Sequence, residues 1–298
     1  MKSILITGAT GYFGQGMVKH LLALPDEAVY RICIYSRDEA KQATMRAALP
    51  DPDQRLRWFI GDVRDKERLC RAMEGIDLVM HAAALKRVEV GEYCPEEMVK
   101  TNVLGSMNVI EAANQAGVKR VVALSSDKAC QPLNAYGASK LMMEKLILGA
   151  NAARGMNGPR FAATRYGNVA GSTGSVINNW RSAMKNGAQV TVTDTDATRF
   201  WMTLKQAVEL VIRTAVNMRG GELEIPDLPA YRLADLMCAM GIYPAEGAWT
   251  TARANHPIKV IGLQKGEKLH ERMREDGSDS SQVRRMTVDE LREALKSV

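Results

Sequence analysis

The chain of 298 residues is longer than one hydrophobic core usually supports, so one large domain with a smaller lobe is the natural expectation. With 46% hydrophobic and 25% charged residues it can bury a sizeable core unaided, and its formal net charge of +6 is scattered along the chain. That dispersion argues against a nucleic-acid surface and suits one anionic small molecule, while five cysteines with no C-x-x-C pair and four histidines without ligand spacing argue against a metal site or a disulfide framework.

The first apolar run, Ser3 to Thr7, reads as a strand, and Gly8, Gly11 and Gly14 follow it at the start of a helical pattern. In such a G-x-x-G-x-x-G turn the missing Cβ atoms let a pyrophosphate reach the helix amides, whose dipole favours its charge. The same glycines interrupt the apolar stretch before a signal or spanning segment could form, so a cytoplasmic protein without membrane contact is expected. Tyr30 to Tyr35 reads as the second strand. At its end NAD binding calls for an acid, whereas the chain has Ser36 and Arg37. A guanidinium there suits a 2′-phosphate, with Lys41 in support, so NADP is the expected cofactor unless Arg37 is only a solvated loop residue. The third strand, Leu56 to Ile60, leads to Asp62, which could meet adenine or simply face water. The fourth runs from Leu78 to His81, where the histidine reads as an anchor of the strand end.

A long helix is expected over Glu96 to Ala116, entered at Pro95. The strand Val118 to Leu124 ends in Ser125, Ser126, Asp127 and Lys128, and the helix Ala135 to Ala152 carries Tyr136 and Lys140 on one face. This order brings an acid, an amine and a Tyr-x-x-x-Lys pair to the carboxyl end of one strand. Lys140 would lower the phenol pKa and hold the cofactor ribose, and Tyr136 would act as base for a hydroxyl whose carbon gives up hydride. Met142, Met143 and Leu146 read as a core stripe. After the strand Arg160 to Arg165 the alternation loosens into strands at Gln189 to Val192, Glu222 to Ile225 and Ile258 to Ile261, a flexible loop over Glu275 to Ser281, and a last helix, Thr287 to Lys296. The expected fold is α/β, a doubly wound parallel sheet of Rossmann type. Residues 1–168 would form the NADP-binding domain, and residues 169–298 mostly a substrate-binding lobe with some segments returning to the core.

The glycine loop, the Tyr136–Lys140 pair and His81-Ala82-Ala83-Ala84 together resemble the extended short-chain dehydrogenase/reductase superfamily. Further stretches narrow the match: Ser36-Arg37-Asp38-Glu39, Lys100-Thr101-Asn102-Val103, Ser126-Asp127-Lys128, Arg165-Tyr166-Gly167-Asn168-Val169, Thr198-Arg199-Phe200-Trp201 and Gly266-Glu267-Lys268-Leu269-His270-Glu271. With these the chain is most similar to the inverting UDP-N-acetylglucosamine 4,6-dehydratases of polysaccharide and flagellin-sugar biosynthesis, from Met1 to Met273 and again in the last helix. The resemblance implies a homo-oligomer that binds NADP through the glycine loop, with Thr10, Tyr12 and Phe13 inside it, through Val63 beside Asp62, and through Ala82, Ala83, Lys86 and Asn102 as well as Tyr136 and Lys140. It implies a UDP-sugar at Lys86, Asn168 and Val169, with Glu267 at the ribose. Arg199 has two readings, pairing with a carboxylate or reaching a phosphate.

In the chemistry so implied, Tyr136 takes the C4 hydroxyl proton, neutral Lys128 the C5 proton, and protonated Asp127, beside Ser126, helps the C6 hydroxyl leave. Those protonation states reverse the ones in water, so the Asp127 and Lys128 side chains should point to different substrate atoms or titrate as a coupled unit. Two departures from the family pattern stand out: Gln264 replaces an arginine expected at the nucleotide, and the segment Tyr243 to Pro257 looks inserted. A UDP-sugar 4-epimerase, a 5,6-dehydratase, or a non-enzymatic cofactor sensor or scaffold are the competing readings.

Overall fold

A computed structural model describes residues 2–242 and 256–298, so most of the segment read as an insertion lies outside the described residues. Six strands carry the first half: β1 (Ser3–Thr7), β2 (Arg31–Ser36), β3 (Leu56–Ile60), β4 (Leu78–His81), β5 (Arg120–Leu124) and β6 (Arg160–Thr164). Shorter strands follow: β7 (Asn168–Val169), β8 (Val190–Val192), β9 (Thr198–Met202), β10 (Leu223–Glu224), β11 (Ala230–Arg232) and β12 (Ile258–Val260). The main sheet runs β10-β6-β5-β4-β1-β2-β3, every neighbour parallel, which is the expected doubly wound order.

Helices cover both faces, and this is why the strands read as nearly continuous apolar runs. Ile4 and Ile6 point to one core together with Met17 and Val18 of the helix Tyr12–Leu22 and Leu210 and Val211 of the helix Leu204–Asn217. Leu5, one residue out of phase, points to the other with Leu69 of the helix Lys66–Met73, Val109 of Gly105–Gln115 and Met143 of Ala135–Ala152. The second half contributes to both units. Its helix Leu204–Asn217 and its strand β10 complete the main domain, while a separate core of Trp180, Trp201, Tyr231, Leu236 and Leu291 holds the lobe together.

Some expectations are corrected. The helix read over Glu96 to Ala116 is a composite: Pro95–Met98, a π-helical turn Val99–Leu104, then Gly105–Gln115. The extra residue of that turn accompanies the inward side chain of Asn102, whose carboxamide bonds both Leu85 backbone groups at 2.8 Å and the Ser139 hydroxyl at 2.9 Å. Met142 is half exposed, so only Met143 and, in part, Leu146 of the methionine stripe are core. The segment Glu275 to Ser281, read as flexible, is pinned because Ser280 is buried and bonded to both Glu271 and Thr198. Thr287 caps the last helix, Val288–Leu295, with the Glu290 side chain returning to the Thr287 amide. Among the described residues no helix is long and apolar enough to cross a membrane.

Candidate active site

The cofactor end is made of backbone. Gly8 adopts φ +68°, and a Cβ there would sit 2.8 Å from the Ala83 Cα, so the glycine admits both the left-handed turn and the close approach of the loop after β4. A Cβ on Gly14 would run into the Ala9 carbonyl. Gly11 starts the helix Tyr12–Leu22 with no side-chain cap, so the first amides of the helix are not satisfied by a cap side chain. This arrangement fits a dinucleotide pyrophosphate. Thr10 is buried and Phe13 packs on the core, whereas the Tyr12 hydroxyl crosses to the lobe and donates to the Ala170 carbonyl at 3.0 Å.

At the ends of β2 and β3, Ser36 is buried and its hydroxyl accepts from Gln42 at 3.0 Å. Arg37 is half exposed and lies 3.5 Å from Asp62, which also holds Arg64 at 2.7 Å. Lys41 turns away to Asp38, and Val63 is core. After β4, the Ala83 amide donates to Thr7, and His81 is buried between Thr7 and Ser106 at 2.8 and 3.0 Å. Burial and the nearby Lys140 push its pKa down to about 3, so it stays neutral and anchors the strand end. Asn102 offers no free amide, since its bonds to Leu85 and Ser139 shape the loop carrying Ala82, Ala83 and Lys86.

The reacting end is made of buried charge. Just beyond β5, Asp127 is 1% exposed. Its Oδ1 accepts from the Ser126 hydroxyl at 2.7 Å, the Lys128 amide at 2.9 Å and the Lys128 amine at 3.3 Å, while Oδ2 is buried without a partner among the described residues. Lys128 Nζ also lies 3.2 Å from Oε1 of Glu271, a residue 2% exposed whose Oε2 is likewise buried and unpartnered. The Asp127 and Lys128 side chains thus do not diverge to separate targets; they form one ion-paired cluster with a third member. Burial opposes the Lys128 charge, but Asp127 and Glu271 outweigh it and push the amine above the ordinary lysine range.

Tyr136 opens the helix Ala135–Ala152, where Asn134 caps the Gly137 amide at 2.7 Å. Gly137 permits this entry, because a Cβ there would strike the Lys128 carbonyl oxygen. Burial raises the Tyr136 phenol, and Lys128 and the Ser126 hydroxyl pull it back. Lys128 is thus a cation acting on the phenol, in addition to the Lys140 that the i, i+4 spacing places on the same helix face. The Lys140 amine donates to the Leu124 carbonyl, and burial, partly offset by Glu144, brings its pKa down to about 8.

On the lobe side, Asn168 is exposed at the start of β7 beside half-buried Val169. Lys86 lies exposed at the rim. Crowding around its amine, with the charges of Arg87 and Lys128, holds its pKa below the usual value. Arg199 resolves to a carboxylate partner: buried, it donates to Glu267 at 2.7 Å and to the Leu269 carbonyl at 3.0 Å. Glu267, expected at the ribose, is also engaged by the Thr193 hydroxyl at 3.2 Å and the Gln264 amide at 3.2 Å. Tyr231 stacks edge-on to Trp201 at 5.5 Å, and its pKa rises to about 12 by burial, moderated by Arg199 and Lys128 and reinforced by Asp127. Glu271 is the member of this buried cluster that sequence reasoning passed over. It stood inside a matching stretch but far from Lys128 in the chain, with no spacing to signal the contact.

These features agree with the comparisons. A family of polysaccharide biosynthesis proteins matches residues 4–290. The chain is 46% identical over 273 residues to the inverting UDP-N-acetylglucosamine 4,6-dehydratase of Campylobacter jejuni, covering 91% of this chain and 77% of that relative. It is 40% identical over 271 residues to the UDP-glucose 4-epimerase of Rickettsia canadensis, covering 91% and 76%. The X-ray structure of Pen from Bacillus thuringiensis superposes with a TM-score of 0.90 at 34% identity, covering 100% of this chain and 98% of that one. By sequence and by fold, the chain belongs to the polysaccharide biosynthesis protein family that includes the inverting UDP-N-acetylglucosamine 4,6-dehydratases.

Proposed function

We propose that the protein is an inverting nucleotide-sugar 4,6-dehydratase acting on UDP-N-acetylglucosamine or a close relative, with a nicotinamide dinucleotide, NADP in preference to NAD, as hydride carrier. The observation that carries the reading is the buried acid–amine pair, Asp127 with Lys128, beside the Tyr136 phenol. A simple epimerase needs the phenol but no elimination pair. Gly8, Gly11 and Gly14 would hold the dinucleotide, which when bound would supply an acceptor for the C4 hydride and its donor to C6. Arg37 supports a 2′-phosphate, and Lys86, Asn168 and Val169 are the groups proposed to meet the UDP-sugar.

Tyr136 takes the C4 hydroxyl proton, its phenolate favoured by the neighbouring Lys128 charge. The C4 ketone acidifies the C5 hydrogen, and the Lys128 amine removes it once it has passed on its own proton. Asp127 then gives a proton to the C6 hydroxyl, which leaves as water. Reprotonation of C5 from the opposite face yields the L-arabino 4-keto-6-deoxy sugar. The net change is loss of one water, a lyase reaction.

Incubation with UDP-N-acetylglucosamine, followed by NMR in heavy water, is expected to give a 4-keto-6-deoxy product with inverted, deuterated C5. A C4 epimer as the sole product would replace this reading by the epimerase one that the Rickettsia relative's name suggests. Retention at C5 in the first-formed product would remove the inverting assignment.

A further inference from the structure

The elimination chemistry leaves a proton question that Asp127 and Lys128 alone answer badly. An isolated pair settles as carboxylate and ammonium, the reverse of the acid and base required. The molecule has a third group at that point. One nitrogen, Lys128 Nζ, touches Asp127 Oδ1 at 3.3 Å and Glu271 Oε1 at 3.2 Å. Both carboxylates are almost completely buried, and each keeps one oxygen, Asp127 Oδ2 and Glu271 Oε2, with no partner.

We infer that Glu271 is a positioning residue that completes a three-membered proton circuit, holding Lys128 in place and taking its proton so that Asp127 can stay a carboxylic acid. Two carboxylates around one ammonium carry a net negative charge, which is costly in a site that loses its water when the sugar binds. Uptake of one proton by the trio makes it neutral. The other charged and titratable groups facing the cluster do not remove that charge. Arg199 is paired with Glu267, Tyr136 and Tyr231 bring no positive charge, and Lys86 sits exposed at the rim.

The circuit closes without an outside reagent. At rest Asp127 carries a proton, Lys128 is an ammonium and Glu271 a carboxylate. Lys128 passes a proton to Glu271 Oε1, and its freed lone pair takes the C5 proton as the C5–H electrons move into the enolate. The enolate then expels the C6 oxygen, which takes the Asp127 proton and leaves as water. Glu271 returns its proton through Lys128 to Asp127. One proton has entered from C5 and one has left in water, so the trio ends as it began. The geometry of the 271–281 segment fits this use. The Glu271 amide donates to the Ser280 hydroxyl at 2.9 Å, the Ser280 amide donates to the Glu271 carbonyl at 2.8 Å, and Ser280 is itself bonded to Thr198.

The proposal rests on the dehydratase reading for its chemistry, but its resting state can be read without substrate. Infrared spectroscopy of the full-length wild-type protein at neutral pH is expected to show the carbonyl band of a protonated carboxylic acid. That band should be lost in Glu271→Gln, where one carboxylate and one ammonium are already neutral, and kept in Glu271→Asp. With UDP-N-acetylglucosamine, Glu271→Gln should keep the burst of reduced cofactor and a KM within about twofold, yet lower kcat for elimination by about a hundredfold, a typical acid–base contribution. Glu271→Asp should recover part of that loss. Absence of the band in the wild type, its survival in Glu271→Gln, or unchanged kcat in that variant would overturn the inference. A wild type that shows the band but makes no dehydrated sugar would instead defeat the functional reading and leave the circuit standing.

Discussion

The two ends of the site solve opposite problems. At the proposed cofactor end the chain subtracts: Gly8, Gly11 and Gly14 leave out side chains where the backbone comes close. At the reacting end it adds charge to a dry place, with Asp127 and Glu271 each leaving an oxygen unpartnered. An unsatisfied buried carboxylate oxygen costs free energy of the order of 1–3 kcal/mol, which only a fold stable elsewhere can carry. The contrast sets a region shaped by missing side chains against one shaped by buried charge.

The contrast is broken most directly at the reacting end. Tyr136→Phe should lower turnover by about 10² to 10⁴ and abolish both the cofactor reduction burst and the product. Lys128→Met should keep a slow or partial rise in reduced-cofactor absorbance while yielding no 4-keto-6-deoxy sugar. Full turnover by Lys128→Met would place the C5 base elsewhere. Gly137→Ala tests the joint between the two ends, since its new methyl would strike the Lys128 carbonyl. A loss of about 1–3 kcal/mol in thermal unfolding, with kcat falling more than cofactor affinity, is expected. No change in either would mean that the helix entry can shift freely.

The cofactor end should answer more gently. Arg37→Ala is expected to weaken NADP by about 1.5 kcal/mol, a little over tenfold, and NAD hardly at all, because Arg37 is half exposed and shared with Asp62. Equal losses for the two cofactors in fluorescence titrations would remove the NADP preference. Smallest of all, Gln264→Arg should tighten UDP by less than about 1 kcal/mol if that position faces the nucleotide, since the residue is exposed. Calorimetry with UDP alone reads this, and identical affinities would mean that the position looks elsewhere.

What could be read in advance follows the range of the forces involved. Strands β1 and β4 match their apolar runs to the residue, because burial on both faces writes itself into consecutive side chains, and β3 matches too although it is a partly exposed edge strand. The glycine loop was equally legible, its physics being local to seven residues. The outer strand β10 was seen as a strand but not as part of the main sheet, since nothing in Leu223 or Glu224 says which sheet will accept them. The Arg199–Glu267 pair was one of two open readings, and its choice depends on the turn at Gln264 to Glu267 lying against β9. For Lys140 the i, i+4 spacing gave the shared face with Tyr136 but not the Leu124 carbonyl that accepts from its amine.

The clasp of Ser280 on Glu271 has a consequence in time. A ribosome releases a chain from its amino end, and domains form as their parts emerge. The glycine loop, the strands around it and Tyr136 are all available long before residues 271–280 leave the tunnel. A growing chain could therefore hold its dinucleotide early, while the proton machinery stays incomplete until the late segment folds back over Thr198. The enzyme would be assembled as a redox site first and as a dehydratase last.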